Sequence, residues 1–186
     1  MAASSFNIDA FTSKLTHGGA LASLFECELT GNVGGTAGGS IDTWTFMCKG
    51  GSFPASAIDV ATVTYMGRAL NIPSNRAAAQ LTTSVYNDEY MEIRNYIESW
   101  MEKLNSHRTN KRAADAVGFE SYTGSLTVEQ LHKTGAGVTK GYEFVQAWPS
   151  ATTEIAVAWD TNDIETFDIT WEYAYWKSGE SAVGTD

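Results

Sequence analysis

The chain has 186 residues, of which 43% are apolar and only 18% charged, and its formal net charge is −10. This composition is too apolar for a disordered protein and too poor in charge for a long solvated helix, and the length suits one domain. An acidic chain repels the phosphate backbone, which argues against a protein that grips nucleic acid. No apolar run approaches the ~20 residues that a membrane span needs, so we expect no membrane insertion by this chain.

The N-terminal third is predicted to form an arm followed by two strands. Residues 1–20 are predicted to be an arm with a short helix, because three apolar residues share one helical stripe before a Gly pair. Period-two alternation predicts one strand over residues 23–30 and another over residues 43–48. The Gly-rich stretch 31–40 lies between them, so we expect a flexible tip across which the two strands pair antiparallel.

Cys27 and Cys48 lie on those two strands. Residues 1–12 lack the basic start and the apolar core of a secretory signal, so we expect the protein to fold in a cytosol with reduced thiols. A disulfide between neighbouring strands is the alternative.

The next segment, residues 50–76, is predicted to be a long excursion that carries a β arm. Two glycines and Pro54 interrupt the sheet, a strand is predicted over 58–65, and Gly67-Arg68 ends it. A further alternating run at residues 81–85 predicts a strand that returns to the main sheet.

One amphipathic helix is predicted at about residues 88–104. Asp88 is a suitable N-cap, and Ile93, Ile97 and Trp100 follow at helical spacing, so this stripe should face a sheet. Residues 103–112 hold four basic side chains and no acid, which predicts an exposed basic connection.

The C-terminal part is predicted to be strands at residues 126–132, 142–148, 155–159 and 167–175, with a flexible tail at 177–186. Consecutive antiparallel strands and one helix predict a mainly β fold: a single-domain antiparallel β-sandwich or barrel over residues 1–186 with one flanking α-helix. The side chains predicted to form its core are aromatic: Phe46, Trp100, Phe144, Trp148, Trp159, Phe167 and Trp171.

The sequence shows no combination of residues that predicts catalysis or a cofactor. The three histidines are scattered and lack metal-ligand spacing, and no nucleophile elbow, phosphate loop or dinucleotide motif is present. We therefore predict a non-enzyme with no catalytic, cofactor-binding or metal-binding residues. Asp160, Asp163 and Glu165 are interpreted as an acidic turn, with a weak metal site as the alternative.

Several segments, in their order and spacing, resemble the tail tube proteins of contractile-tailed, T-even-like bacteriophages. The resemblance runs from about residue 6 to 176, and the chain departs from it in a longer Gly-rich tip and a longer C-terminal tail. The segments that carry it are LFECEL (24–29), TFMCK (45–49), YIESW (96–100), YEFVQAWP (142–149), AWDTNDIETFDI (158–169) and YAYW (173–176).

This resemblance implies a structural virion protein of the phage tail, assembled in the host cytoplasm. Six copies would form a ring, and stacked rings would make the inner tube, a conduit for DNA passage. The implied partners are further copies of the chain, the tail sheath protein, the baseplate or tail initiator, the terminator, and a tape-measure protein in the lumen, with DNA only as a transient passenger.

The resemblance also implies that the excursion at 50–76 reaches the neighbouring ring. The inter-ring contact residues implied in this way are Gly50, Phe53, Pro54, Tyr65, Gly67 and Arg68. Three alternatives remain at this point: the inner tube of a type VI secretion or extracellular contractile injection system, a monomeric β-sandwich module that binds sugars or a receptor, and an enzyme.

Overall fold

The computed structural model describes residues 7–15, 18–31, 41–77, 79–135 and 137–179. The Gly-rich tip, apart from Gly31, and the tail beyond residue 179 lie outside the described residues. The helices are α1 (Ile8–Lys14), α2 (Ile41–Met47), α3 (Glu92–Leu104) and α4 (Phe119–Tyr122), with a 3-10 turn at Ala114–Ala116. The strands are β1 (Phe25–Gly31), β2 (Cys48–Gly50), β3 (Ala57–Tyr65), β4 (Arg68–Ala77), β5 (Leu81–Tyr86), β6 (Gly124–Leu131), β7 (Val138–Thr152), β8 (Thr166–Glu172) and β9 (Tyr175–Gly179).

The main sheet is antiparallel and nearly closes into a barrel. Its strand order is β1-β6-β7-β8-β5-β2, and β9 pairs with β7 beside this path. Strands β3 and β4 pair only with each other and form a separate hairpin. The prediction of a mainly β, barrel-like fold with a flanking helix is confirmed.

Strand β7 belongs to both halves of the barrel. Its first part pairs with β6 and β9, and its last part, from Trp148 onward, pairs with β8. Between these parts the β6–β7 register is irregular, and Gln146 has a left-handed backbone with a φ of 58°. A left-handed residue in a bulge bends a strand, which is how one strand can pass from one sheet layer to the other.

Alternate residues of the sheet strands point into a core of interlocking aromatic rings. Trp171 lies at its centre, with its ring centroid 5.8 Å from both Trp44 and Trp100 in edge-on geometry. The indole Nε1–H of Trp171 donates to the buried Thr83 hydroxyl at 2.9 Å, so this polar group is satisfied inside the core. Of the predicted core residues, the structure buries four and half-buries Trp148: the four are Trp100, Phe144, Phe167 and Trp171.

The long helix α3 begins at Glu92, a few residues after the predicted start. The Asp88 carboxylate accepts a hydrogen bond from the Glu92 backbone N–H at 2.9 Å, which satisfies one free donor of the first turn. The predicted apolar stripe is buried, and Trp100 Nε1–H donates to the Tyr122 carbonyl at 2.8 Å. The helix therefore lies against the barrel through the face that its spacing predicted.

The predicted strand over residues 43–48 is wrong, because α2 occupies most of it. Strand β1 pairs with β6 and the short β2 pairs with β5, so the two predicted partners do not pair. In a helix, residues two apart point to opposite sides, so Trp44 is buried while Phe46 is 85% exposed. The predicted core position of Phe46 is therefore also wrong.

The predicted strand over residues 155–159 is also wrong. Strand β7 instead continues past Pro149 to Thr152, with a register shift beside the proline that accommodates its missing N–H. Residues 153–165 have no regular strand, and Trp159 is fully exposed rather than in the core.

The last predicted strand, 167–175, is two strands. The ladder with β7 is interrupted at residues 173–174, and β9 then pairs with residues 141–145 of β7 in the same register as β8. Strand β9 continues to Gly179, so the start of the predicted tail at 177 is part of the sheet. No helix in the described ranges is long and apolar enough to cross a membrane.

Candidate assembly interface

The β3–β4 hairpin forms a two-stranded sheet separate from the main sheet. The strands pair from Ala57 opposite Ala77 to Tyr65 opposite Arg68. Met66 and Gly67 form the tip with φ values of 47° and 77°, the left-handed pair that a tight two-residue turn requires. Strands of nine and ten residues extend roughly 30 Å, so the tip lies far from the end of the hairpin that joins the barrel.

The hairpin has one apolar face and one more polar face, and every residue in both strands is exposed. Val63 lies opposite Leu70 and Ala61 opposite Ile72, so these four side chains share one face with Tyr65. On the other face, the Thr62 hydroxyl donates to the Asn71 side-chain oxygen at 3.0 Å. Leu70 is 61% exposed and Tyr65 72% exposed, so the described chain provides no cover for the apolar face.

The six residues implied as inter-ring contacts separate into two groups along this hairpin. Tyr65, Gly67 and Arg68 lie together at the tip. Gly50, Phe53 and Pro54 precede β3 and lie near the barrel, where the Phe53 ring is 5.0 Å from the Tyr142 ring. The tip group is thus separated from the other three residues by the length of the hairpin.

Two further regions of the described chain expose apolar side chains. None of the residues of α1 is buried, and its stripe of Ile8 and Phe11 is exposed. The 153–165 segment presents Val157, Trp159 and Ile164 beside its acidic residues. The sequence periodicity grouped these apolar residues correctly onto common faces in α1, but periodicity does not say whether the same chain covers the face.

One face of the β1-β6-β7 layer is acidic. Glu26 lies opposite Glu129, and Glu28 and Glu143 both lie opposite Thr127 on either side of it. Residues that are directly opposite in a sheet share a face, so four carboxylates lie on one surface of three adjacent strands. Lys177 on β9, opposite Glu143, is the base next to them.

Cys27 and Cys48 are free and buried, and they lie on β1 and β2, the two ends of the barrel strand order. Their mutual hydrogen bond, together with burial, raises the pKa of Cys27 far above that of an exposed thiol, while the same bond lowers the pKa of Cys48. The Cys48 thiol also contacts the Gly50 carbonyl at 3.6 Å. Cys27 and Cys48 are therefore close together although the strands predicted to pair do not, and both are free thiols in this structure.

The described residues contain no group of three or more His, Cys, Asp or Glu side chains that could hold a metal ion. The acidic turn at 160–165 therefore belongs to no such metal-binding group among the described residues. His107 lies 4.0 Å from the Glu102 carboxylate on the surface, and His132 contacts the Thr134 hydroxyl. The surfaces that stand out are those suited to contacts with other proteins.

By sequence, the chain matches the family that its segments resemble. By structure, it shares its fold with solved proteins. The sequence profile described as phage tail tube protein matches residues 20–179. The tail tube protein gp19 of Enterobacteria phage T4 is 29% identical over 135 residues, which is 72% of this chain and 81% of that protein, and its counterpart in phage T6 matches equally.

Two solved structures share the fold. One is from the PVC extracellular contractile injection system, a sheath–tube complex in the extended state, with a TM-score of 0.59, 13% identity, and 90% and 97% of the two chains covered. The other is the tube terminating cap of the anti-feeding prophage, with a TM-score of 0.61, 14% identity, and 86% and 90% covered. At these identities the likeness concerns the fold alone.

Proposed function

The chain belongs to the phage tail tube protein family, and we propose that it forms the inner tube of a contractile phage tail as stacked hexameric rings. The observation that carries the proposal is the β3–β4 hairpin, whose apolar face is exposed along its length. An exposed apolar hairpin of this kind is prone to strand pairing with other molecules and to aggregation unless a partner covers it. A further copy of the same chain, stacked in the next ring, would provide that cover.

The hairpin supports an open, growing assembly rather than a closed one. Its tip, with Tyr65, Gly67 and Arg68, would meet a different surface on the next ring, so the contact is heterologous. A heterologous contact that repeats along an axis produces a filament. In this arrangement, Gly50, Phe53 and Pro54 lie near the barrel, away from the tip.

The acidic face of β1, β6 and β7 is the surface that we assign to the channel wall. Six copies of a chain with a net charge of −10 would carry about sixty formal negative charges. A wall with Glu28 and Glu143 exposed to the bore would repel the phosphate backbone, so DNA would pass without adhering. A tape-measure protein would occupy the same channel during assembly.

The outer partners follow from the tube role. Proteins of similar fold come from a sheath–tube complex and from a tube terminating cap, which supports contacts of the assembled tube with a sheath, a baseplate initiator and a terminator. The protein would then be part of the virion tail after assembly in the host cytoplasm. No catalytic step is needed for this role.

The test is tube growth by the purified chain with a tail-assembly initiator, viewed by negative-stain electron microscopy. We expect tubes from the wild type and none from a variant in which a short Gly-Ser linker replaces 57–77. Val63→Asp, on the apolar face, should also stop growth. Thr64→Asp is the matched control, because it places the same charge one residue away on the opposite face.

Two results would contradict the proposal. One is growth of normal tubes by the 57–77 deletion, and the other is a wild type that stays as isolated subunits beside the initiator. The second candidate function, the tube of a contractile injection system, is favoured only by the shared fold with the PVC structure. Capsid and packaging genes beside the gene for this chain would select the phage tail.

A further inference from the structure

Both ends of the hairpin are held by one small aromatic cluster on the barrel. On the N-terminal side, the Phe53 ring lies 5.0 Å from the Tyr142 ring, tilted against it. On the C-terminal side, the Arg76 guanidinium lies 6.0 Å from the centre of the Trp176 ring. Tyr142 and Trp176 are themselves in edge-on contact at 5.6 Å, so the four side chains form a continuous chain.

The two rings at the centre of this cluster are fixed by the sheet. Tyr142 is on β7 and Trp176 is on β9. These two strands pair with each other, and Trp176 lies opposite Phe144, two residues after Tyr142. Both rings are half-buried against the core, whereas Phe53 and Arg76 reach them from the hairpin side. The cluster therefore joins a rigid part of the barrel to the two chain segments that lead into the hairpin.

The rest of the hairpin base lacks regular structure and close packing. Residues 51–56 have no regular structure, and a cavity of about 180 Å³ lies between the end of β4 and residues 173–176. With strands extending roughly 30 Å, a small rotation at this base would displace the tip by many ångströms. Among the described residues, β3 and β4 have no strand partner in the main sheet, so side-chain contacts at the base must restrain that rotation.

We propose that Phe53, Tyr142, Trp176 and Arg76 act as a clamp that fixes the angle at which the hairpin leaves the barrel. The inference rests on the proposed stacking role, because the angle determines where the tip meets the next ring. These are positioning residues, and Phe53 acts at the base of the hairpin instead of in the ring-to-ring contact. The clamp reduces the conformational freedom that each stacking event would otherwise remove.

The first experiment measures the hairpin angle in the lone subunit and needs no assembly. Spin labels at Met66→Cys, on the exposed tip, and Thr82→Cys, at an exposed position of β5, report the distance between tip and barrel. The native thiols are buried and do not compete for label. We expect one narrow distance distribution in the wild type and a broad one in the double variant Phe53→Ala/Arg76→Gln.

The second experiment measures tube growth for the same variants. Loss of one aromatic and one cation–π contact should lower the elongation rate roughly tenfold, since fewer subunits then hold a productive hairpin. The single variant Arg76→Lys should keep most of the wild-type rate, because a cation is still present over the Trp176 ring. Arg112→Gln is the matched control: it removes a guanidinium 4.7 Å from the Tyr122 ring, away from the clamp, and should leave growth unchanged.

The urea midpoint of unfolding should be the same for wild type and clamp variants, which separates a positioning role from loss of the fold. An unchanged, narrow label distance in the double variant would overturn the clamp. Normal elongation by that variant would do the same. If the wild type itself forms no tubes, the stacking role fails while the label distances still decide whether the clamp exists.

Discussion

The barrel and the hairpin both have strands with an apolar face, but the chain covers that face only in the barrel. In the barrel, alternate residues such as Leu126 and Val128 point inward and are covered by the chain's own rings and helices. In the hairpin, Val63 and Leu70 follow the same period but remain exposed. The difference shows that alternation identifies a common face, whereas tertiary or quaternary contacts decide what covers it.

If this comparison is right, truncation should be costly to the fold in the barrel and nearly neutral in the hairpin. The largest effect is expected for Trp171→Ala, since this fully buried ring contacts both Trp44 and Trp100. We expect a loss of about 3–5 kcal/mol in the free energy of unfolding, measured by urea titration of the full-length subunit. A loss below about 1 kcal/mol would mean that the core is not packed as described.

A smaller loss is expected for Thr83→Val, which keeps the volume but removes the acceptor of the Trp171 indole N–H. A buried donor without a partner costs about 1–3 kcal/mol, so the urea midpoint should fall. Thr82→Val, on the exposed side of the same strand, is the control and should change stability little. Equal effects at the two positions would contradict the burial pattern of β5.

The bend in β7 offers a substitution that should increase stability. Gln146 holds a left-handed backbone that glycine adopts without strain, so Gln146→Gly should raise the free energy of unfolding by about 0.5–1 kcal/mol. Gln146→Ala retains the strain and should give no gain. Thermal unfolding of both variants is the measurement, and a destabilised glycine variant would argue against the bulge.

The smallest effect on the fold should come from Leu70→Ala in the hairpin, within about 0.5 kcal/mol in the urea titration. The same substitution at the buried Leu126 should cost about 2–5 kcal/mol. The order is reversed for assembly, because Leu70→Ala should impair tube growth although the subunit stays folded. Comparable losses of stability at the two leucines would remove the distinction between barrel and hairpin.

The sequence was most informative where a pattern was long. The helical stripe ending at Trp100 and the alternation around Phe167 to Trp171 each repeat often enough to determine period and face. Residues 43–48 offer only three alternating apolar side chains, too few to separate a strand from the two turns of α2. Trp159 was misplaced for the same reason, since Ile155, Val157 and Trp159 are also only three alternating side chains, and the segment that holds them forms no strand.

Strand pairing was the other limit. Which strands pair depends on contacts far apart in sequence, such as β2 with β5 and β9 with β7. The interruption after Glu172 lies opposite the bend in β7, because β9 continues the register of β8, with Glu172 opposite Trp148 and Tyr175 opposite Val145. The inter-ring residues were inferred from resemblance, and the structure separates them into a tip group and a group near the barrel.

Among the described strands, β7 alone is hydrogen-bonded within both layers of the barrel. A force that pulls one layer is therefore transmitted to the other through covalent backbone bonds as well as through packed side chains. Shearing the layers apart would require breaking the hydrogen-bond ladders of β7 on at least one side of Gln146. For a subunit of a tail tube, such continuity resists shear between the layers, and within β7 it requires a left-handed backbone only at Gln146.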